Sequence, residues 1–562
     1  MKKKVIIIGG GIAGLSVAHF LCKYPNLDIN IYESESDIGG QARSMFGKYC
    51  YIEYSWRIFG TTYHNLNKII NEIKANDNFT YLSEPCIINT NNNVEYGNLS
   101  SYNLGKIIFK NSNFDLINKI MNILTISRER ALNDYQDITA YDYFNKNPII
   151  QSILGPFLGL DANKVSLSGY YQNLLSVVDN KKYDFTPTNT RITKYPTQES
   201  LFVPWVKYLK KNGVKIFTNS KLTDIIINSN GLIDSVIING KNIKSDEYVF
   251  SLSLENINKI ISRQPYFLNT QIKNSLLKLE NGLQLYYTIN LYFSIKLDNN
   301  IKLKCNQLVL VDTPWKLIIQ RKHTWTHKFM KNCKNNNIQI NDVFNVGFLD
   351  HNKGLLFGKI LSQCSREEAI QEGIYQFKNS KYIKNLINQH DTTFDNIFIS
   401  YEDWYEFKNN QNGKLTSTNP KFSINTGLMK HMPSNQPSEL PKNMFLAGYY
   451  VNSTMGGVSM EASCETGLTA GLAIVKKHNY KVIEYPYQHI INGFPLTIGL
   501  SYIDKLFYKL NIKPLYTIIP STILIILYFL LLITLIITVF VYLLLILYKY
   551  KKYIMSRESD VW

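Results

Sequence analysis

Lys4-Val5-Ile6-Ile7-Ile8-Gly9-Gly10-Gly11-Ile12-Ala13-Gly14, close to the start of the chain, decides the fold. The four apolar β-branched residues read as a parallel strand buried on both faces. The glycines then spell G-x-G-x-x-G, and Leu15, Val17, Ala18, Phe20 and Leu21 continue at helical spacing. In such a strand–turn–helix unit Gly9 permits the tight turn, Gly11 lets the backbone approach a pyrophosphate, and Gly14 lets the helix pack on the strand. The first helical turn, with Ala13, offers its amides to the phosphate charge. A second strand, Ile29-Asn30-Ile31-Tyr32-Glu33, ends in an acid 22 residues beyond Gly11. That is near the ~20 expected of a carboxylate accepting from adenosine ribose hydroxyls. A carboxylate there repels a 2′-phosphate, which leaves NAD or FAD and disfavours NADP.

The next residues discriminate between the two. Ser34-Glu35-Ser36-Asp37-Ile38-Gly39-Gly40-Gln41-Ala42-Arg43-Ser44 brings a second glycine pair, with Gly40 in position for another close backbone approach and Arg43 for countering a diphosphate. NAD domains do not require this element. Here the sequence resembles the FAD-dependent superfamily of amine oxidases and carotenoid (phytoene, zeta-carotene) desaturases, in which a similar element packs against the flavin diphosphate. Further on, Glu53-Tyr54-Ser55-Trp56-Arg57-Ile58-Phe59-Gly60-Thr61-Thr62-Tyr63-His64-Asn65 is similar to the desaturase pattern E-x-G-L-H-x-F-F-G-x-Y-x-N. Arg57 stands where that family has His, and Ser55 where it has Gly. The resemblance makes Trp56 and Arg57 candidate substrate-side groups; a core aromatic and a structural ion pair are the other reading.

Two more blocks extend the likeness. Residues 200–260 alternate as helix, strand, strand, strand, and the resemblance puts a strand near Leu222 on the adenine. Asn443-Met444-Phe445-Leu446-Ala447-Gly448-Tyr449-Tyr450, then Ser459-Met460-Glu461-Ala462, is similar to the closing pattern N-L-F-L-A-G-D-Y … S-M-E-G-A. It implies that Gly448 lies beneath the cofactor and that a helix starting near Met460, with Ser459 and Glu461, directs its amides at the isoalloxazine. Tyr449 departs from the family, which has an acid there to hold the ribityl chain. Ser459 replaces the tyrosine that forms one wall of the amine oxidase cage, which favours a desaturase-like chemistry. The stretch Tyr401-Glu402-Asp403-Trp404-Tyr405-Glu406 reads as a solvated strand edge or, less simply, as the place of a proton acceptor.

With 45% hydrophobic and 19% charged residues, the chain of 562 can bury a large core, which excludes intrinsic disorder. Its net charge of +18 would suit nucleic acid, but only nine of the 61 basic residues are Arg. Arg is the usual bidentate reader of phosphate and guanine, so no nucleic-acid partner is expected. The seven scattered cysteines read as free thiols of a reducing compartment, with neither a disulfide framework nor a metal site. Sequons at Asn78, Asn98 and Asn452 read as chance matches in an Asn-rich chain.

Residues 516–548 form a run of 33 without a charge, beyond the ~20 that span a bilayer. The expected architecture is α/β: a discontinuous Rossmann-like FAD-binding domain (1–75, 197–262 and 420–478) interleaved with an α+β substrate domain (76–196 and 263–419). A juxtamembrane segment (479–515), a transmembrane helix (516–548) and a short basic tail (549–562) complete it. The expected protein is a single-pass membrane flavoenzyme with a cytosolic body, acting on a small, apolar isoprenoid or lipid substrate. An amine oxidase for a soluble amine, and a redox-inert membrane-tethered binding protein, are the alternatives.

Overall fold

A computed structural model describes residues 2–55, 57–60, 62–81, 86–90, 93–97, 114–146, 161–176, 191–297, 307–322, 324–325, 327–349, 352–455, 458–488 and 498–558. The chain forms two compact units, residues 1–111 with 134–490, and residues 112–133 with 491–562.

The larger unit is built around a parallel sheet of five strands: β1 (Lys3–Ile8), β2 (Leu27–Tyr32), β3 (Lys215–Phe217), β4 (Glu247–Phe250) and β5 (Met444–Leu446). Their order is β5-β4-β1-β2-β3, with Ile7 of β1 opposite both Ile31 and Val249. Val5, Ile6 and Ile7 are fully buried, as a strand covered on both faces must be. Helix α1 (Ile12–Leu21) follows β1 directly, α2 (Leu254–Arg263) follows β4, and α3 (Met460–Lys477) follows β5. Helices α1 and α3 pack so closely that a Cβ on Gly467 would lie 2.2 Å from the Ala13 carbonyl oxygen. The strand order reverses between β1 and β4, and a sheet of this kind opens its ligand crevice at such a point.

The stretches between these segments supply a seven-stranded sheet. Its order is Phe398–Asp403, Tyr286–Phe293, Asp342–Leu349, Leu317–Arg321, Gln307–Leu310, Cys86–Thr90, Asn93–Gly97. Every residue of Tyr286–Phe293 and of Asp342–Leu349 is buried, as in strands central to a covered sheet. Helix Arg366–Asn379, capped by Ser365 and Glu368 in a reciprocal box, adds its apolar face to the same core.

The cysteine expectation needs correction. Cys50 and Cys333 are joined in a disulfide across 283 residues of sequence. Spacing could not reveal the pair, because only the packing of hairpin Ser44–Phe46/Tyr51–Glu53 near the turn after Met330 brings the thiols together. Among the described residues Cys22 and Cys464 are outside any disulfide.

The smaller unit is helical, with Phe114–Thr125, Arg128–Asp134, Ile498–Lys509 and the long helix Ser521–Glu558. Within the last, Ile523–Leu547 is long and apolar enough to cross a membrane. Its 25 residues span about 38 Å at ~1.5 Å each, against ~30 Å of hydrocarbon. The helix starts directly after Pro520, a few residues later than the uncharged run.

Candidate dinucleotide site

At the C-terminal end of β1 the backbone is folded tightly on itself. Gly9 has φ +105°, and a Cβ there would stand 2.3 Å from the Ser251 carbonyl oxygen at the end of β4. A Cβ on Gly14 would stand 2.0 Å from the Gly9 carbonyl oxygen, so the strand–helix junction admits only glycine. No side chain caps the start of α1, which leaves its first amides open to an anion. Gly11 and Gly39 form a parallel bridge, and a Cβ on Gly40 would approach the Gly11 Cα to 3.2 Å. The two glycine elements read from the sequence thus lie against each other. Glu33, buried at the end of β2, accepts from the Gly10 amide at 2.7 Å and from Ser34 Oγ and the Glu35 amide at 3.0 Å. These bonds orient the carboxylate at the lip of the crevice.

Arg43 sits beside the second glycine pair. Its guanidinium donates to the Gly40 carbonyl at 3.2 Å and to the Tyr405 hydroxyl, and lies over the rings of Trp404 and Tyr405. Arg57 is buried, donating through Nη2 to the Gln41 carbonyl at 2.7 Å and through Nε to the Ala42 carbonyl at 3.1 Å. It shares the interior with a second cation, Lys322, which pairs with Glu53. Glu53 also accepts from the Thr197 amide at 3.0 Å and the Thr197 hydroxyl at 2.5 Å. Burial pulls the Glu53 carboxyl up, but Lys322 and Arg57 outweigh it and hold the group below its ordinary range. Arg57 therefore clamps the second glycine loop onto this buried charge network. Trp56 lies outside the described residues.

Leu222 opens strand Leu222–Ile227 of a separate three-stranded antiparallel sheet. Gly448 ends β5 with φ +147°, its amide donating to Thr466 Oγ1 at 3.1 Å. The Tyr449 hydroxyl accepts from the Leu254 amide at 3.1 Å and so serves the start of α2. Ser459 caps α3, accepting from the Ala462 amide at 3.0 Å, and Met460 is half-buried. Glu461 is fully buried, accepting from the Asn65 and Leu66 amides at 2.8 and 2.9 Å. Its carboxylate ties α3 to the start of helix His64–Glu72.

Two ionisable groups, Glu255 and Lys421, escaped the sequence reading. Glu255, in the first turn of α2, has both carboxylate oxygens shut off from solvent and without a hydrogen bond in ordinary geometry. Burial raises its pKa, although Ser253 and Lys259 favour the charged form. Burial raises the phenols of Tyr449 and Tyr54, and the charge of Glu255 adds to both shifts. The Tyr54 hydroxyl likewise has no hydrogen bond. Lys421 lies over the Tyr286 ring at 4.9 Å; burial and then Arg57 push its ammonium down to about 8. Burial raises the Glu406 carboxyl, which accepts from Trp404 Nε1 at 3.0 Å; Asp403 is occupied by Arg366 and Tyr287. None of these carries a motif, since each follows from packing between distant segments. The rings of Tyr54, Tyr286, Trp404 and Phe407 gather beside them at centroid separations of 5.8–6.2 Å from Tyr54.

Comparison with known proteins agrees with this geometry. Residues 7–73 match the NAD(P)-binding Rossmann-like domain family. No curated protein matches the chain by sequence. Among solved structures, an oxidoreductase from Methanosarcina mazei is similar at 14% identity and a TM-score of 0.55, over 84% of this chain and all of that one. Cyclohexylamine oxidase from Brevibacterium oxydans IH-35A is similar at 12% identity and 0.53, over 85% of this chain and 100% of its own. Putrescine oxidase bound to putrescine is similar at 10% identity and 0.57, over 85% and 99%. The chain has the fold of these oxidoreductases, a Rossmann-like dinucleotide domain interleaved with a second sheet, and carries a long apolar helix beyond it.

Proposed function

We propose that this chain is a membrane-anchored FAD-dependent oxidoreductase, desaturase-like, acting on an apolar isoprenoid or lipid. The observation that carries the reading is the pairing of the Gly9–Gly14 turn with the Gly39–Gly40 turn at the reversal of the sheet. The residues fit the dinucleotide: the open amides of α1 suit its diphosphate, Glu33 its adenosine ribose, and the unsatisfied Glu255 carboxylate the ribityl hydroxyls. Glu255 would supply the acceptor lost at Tyr449. When bound, FAD supplies a two-electron hydride acceptor. The chain's own part is to exclude water with Tyr54, Tyr286, Trp404 and Phe407, and to hold protons at Lys421 Nζ and the Glu406 carboxyl. An apolar substrate needs little more acid–base machinery than that.

The amine alternative draws on cyclohexylamine and putrescine oxidases having this fold. Ser459 in place of a cage tyrosine weighs against it. The visible spectrum of the full-length chain in detergent decides first. A flavin band, bleached anaerobically by polyisoprenoids and not by amines, is expected. Bleaching by amines alone would transfer the reading to amine oxidation, and a colourless folded chain that takes up no FAD would make the site redox-inert.

A cytosolic placement of the body rests on unpaired thiols, and a disulfide persists in an oxidising compartment. The Cys50–Cys333 pair therefore weighs against that placement. The Asn452 sequon is exposed, so an endoglycosidase-sensitive shift would put the body on the lumenal or outer face.

A further inference from the structure

Helix Ile498–Lys509 in the smaller unit has two unlike faces. On one, Leu500, Ser501 and Asp504 are buried. The Asp504 carboxylate accepts from the Ser127 amide at 2.7 Å, the Ser127 hydroxyl at 2.8 Å and Arg130 Nε at 2.9 Å. Arg130 donates onward to the Ile512 carbonyl at 2.8 Å, and Lys505 pairs with Glu129 at the rim. A buried, hydrogen-bonded ion pair is costly to break, because either partner alone is left as an unpaired charge. The rotation of the helix about its axis is therefore fixed.

From Tyr502 onward the opposite face is apolar and exposed. Tyr502, Ile503, Leu506 and Leu510 are 55%, 43%, 56% and 60% exposed, and Ile512 and Ile518 beyond the helix are 41% and 71% exposed. At 3.6 residues per turn the first four fall in one stripe about 100° wide. Exposed Lys509 and Lys513 border it. A contiguous apolar stripe of this kind on a water-facing surface marks an interaction site.

The neighbouring span indicates its cover. Ile523–Leu547 begins after the bends at Pro514 and Pro520, and its Tyr528 packs on the amphipathic helix: a Cβ on Gly499 would lie 2.7 Å from the Tyr528 ring. Tyr528 is the sixth residue of the span, roughly 8 Å along it at ~1.5 Å per residue. The start of helix Ile498–Lys509 therefore stands level with the first turns of the apolar helix, where acyl chains replace water. We propose that helix Ile498–Lys509 and residues 510–518 form an in-plane interfacial element of the bilayer. The 502–510 stripe lies among the upper acyl chains, and Lys509 and Lys513 reach anionic phospholipid headgroups. This rests on the reading of Ile523–Leu547 as a membrane span. The element would make the anchor a two-part clamp, with the span setting attachment and the in-plane helix setting depth and tilt.

The test uses the full-length chain in phosphatidylcholine vesicles, with or without phosphatidylserine, labelled with an environment-sensitive fluorophore. One sample carries Leu506→Cys, a second Tyr502→Cys on the same stripe, and a third Leu535→Cys in the span; unsubstituted protein reports background labelling. The expected result is a blue shift at 506 and 502 with loss of emission to lipids brominated near the headgroup. Position 535 should be quenched by bromines deep in the chains, and phosphatidylserine should enlarge the shift at 506. Quenching at 535 with none at 502 or 506 would overturn the proposal and leave the span standing. A blue shift at 506 that grows with protein concentration but resists brominated lipid would show a second copy on the stripe, and overturns it too. An equal shift with and without phosphatidylserine removes the headgroup role of the lysines. If 535 is not quenched, the membrane reading itself falls, and the proposal with it.

Discussion

Glu255 and Glu53 are both enclosed acids, yet their surroundings push them in opposite directions. Glu255 is raised because burial outweighs its neighbours, so the folded state holds its proton more tightly than the unfolded chain. Its effect on stability is then unfavourable as pH rises from the unfolded value through the folded one. Glu255→Gln should therefore make the cofactor-free protein melt higher at neutral pH than wild type. The same change should weaken FAD retention about tenfold to a hundredfold, as the loss of one hydrogen bond to a charged acceptor does. A Gln variant with unchanged FAD affinity would remove Glu255 from the site and leave it a helix-terminus acid. Glu53 is lowered, so its contribution is present above the unfolded pKa and is lost as pH falls through the folded one. Lys322→Met strands that carboxylate, and a loss of about 3–5 kcal/mol in denaturant unfolding is expected. A loss below about 1 kcal/mol would show that water reaches Glu53.

Elements meet in this fold where small residues permit it. The packing of α1 on α3 depends on Gly467 facing the Ala13 carbonyl, so Gly467→Ala should cost about 1–3 kcal/mol by overpacking and shift the amides at the start of α1. Thermal melts with and without FAD would register both effects; an unchanged melt would mean that the two helices separate freely. The disulfide acts between elements as well, tying hairpin Tyr51–Glu53 to the turn beyond Met330. Cys50→Ser should lower stability by about 2–5 kcal/mol, because a long loop in the unfolded chain is released. A mass for the purified chain showing both thiols reduced would contradict the pairing directly.

On the scale of the whole molecule, the oxidoreductase fold is continuous with a helix long and apolar enough to cross a membrane. The uncovered side chains of Ile523–Leu547 would cost far more in solution than the charged tail loses by crossing, so the full chain should resist extraction by alkaline carbonate. Its release into the supernatant would mean that another protein covers the helix. On the proposed reading, tethering would raise the encounter rate with a substrate dissolved in the bilayer and give a soluble amine no advantage.

Residues 4–14 and 29–33 are enough to reveal the dinucleotide fold, since strand burial, glycine geometry and the acid's spacing are local requirements written in consecutive residues. The blocks ending at Leu446 and starting at Met460 are legible through their resemblance to a family's closing pattern, and the uncharged run after residue 515 through composition alone. Arg57, the cysteines and the acids are not. Whether Arg57 clamps a loop or faces a substrate depends on Glu53, Gln41 and Lys322, which packing brings from three separate segments. The Cys50–Cys333 pair and the position of Glu255 beside Tyr449 arise in the same way. Charge, protonation and pairing depend on desolvation and on neighbours a few ångströms away, and those neighbours exist only once distant parts of the chain have met.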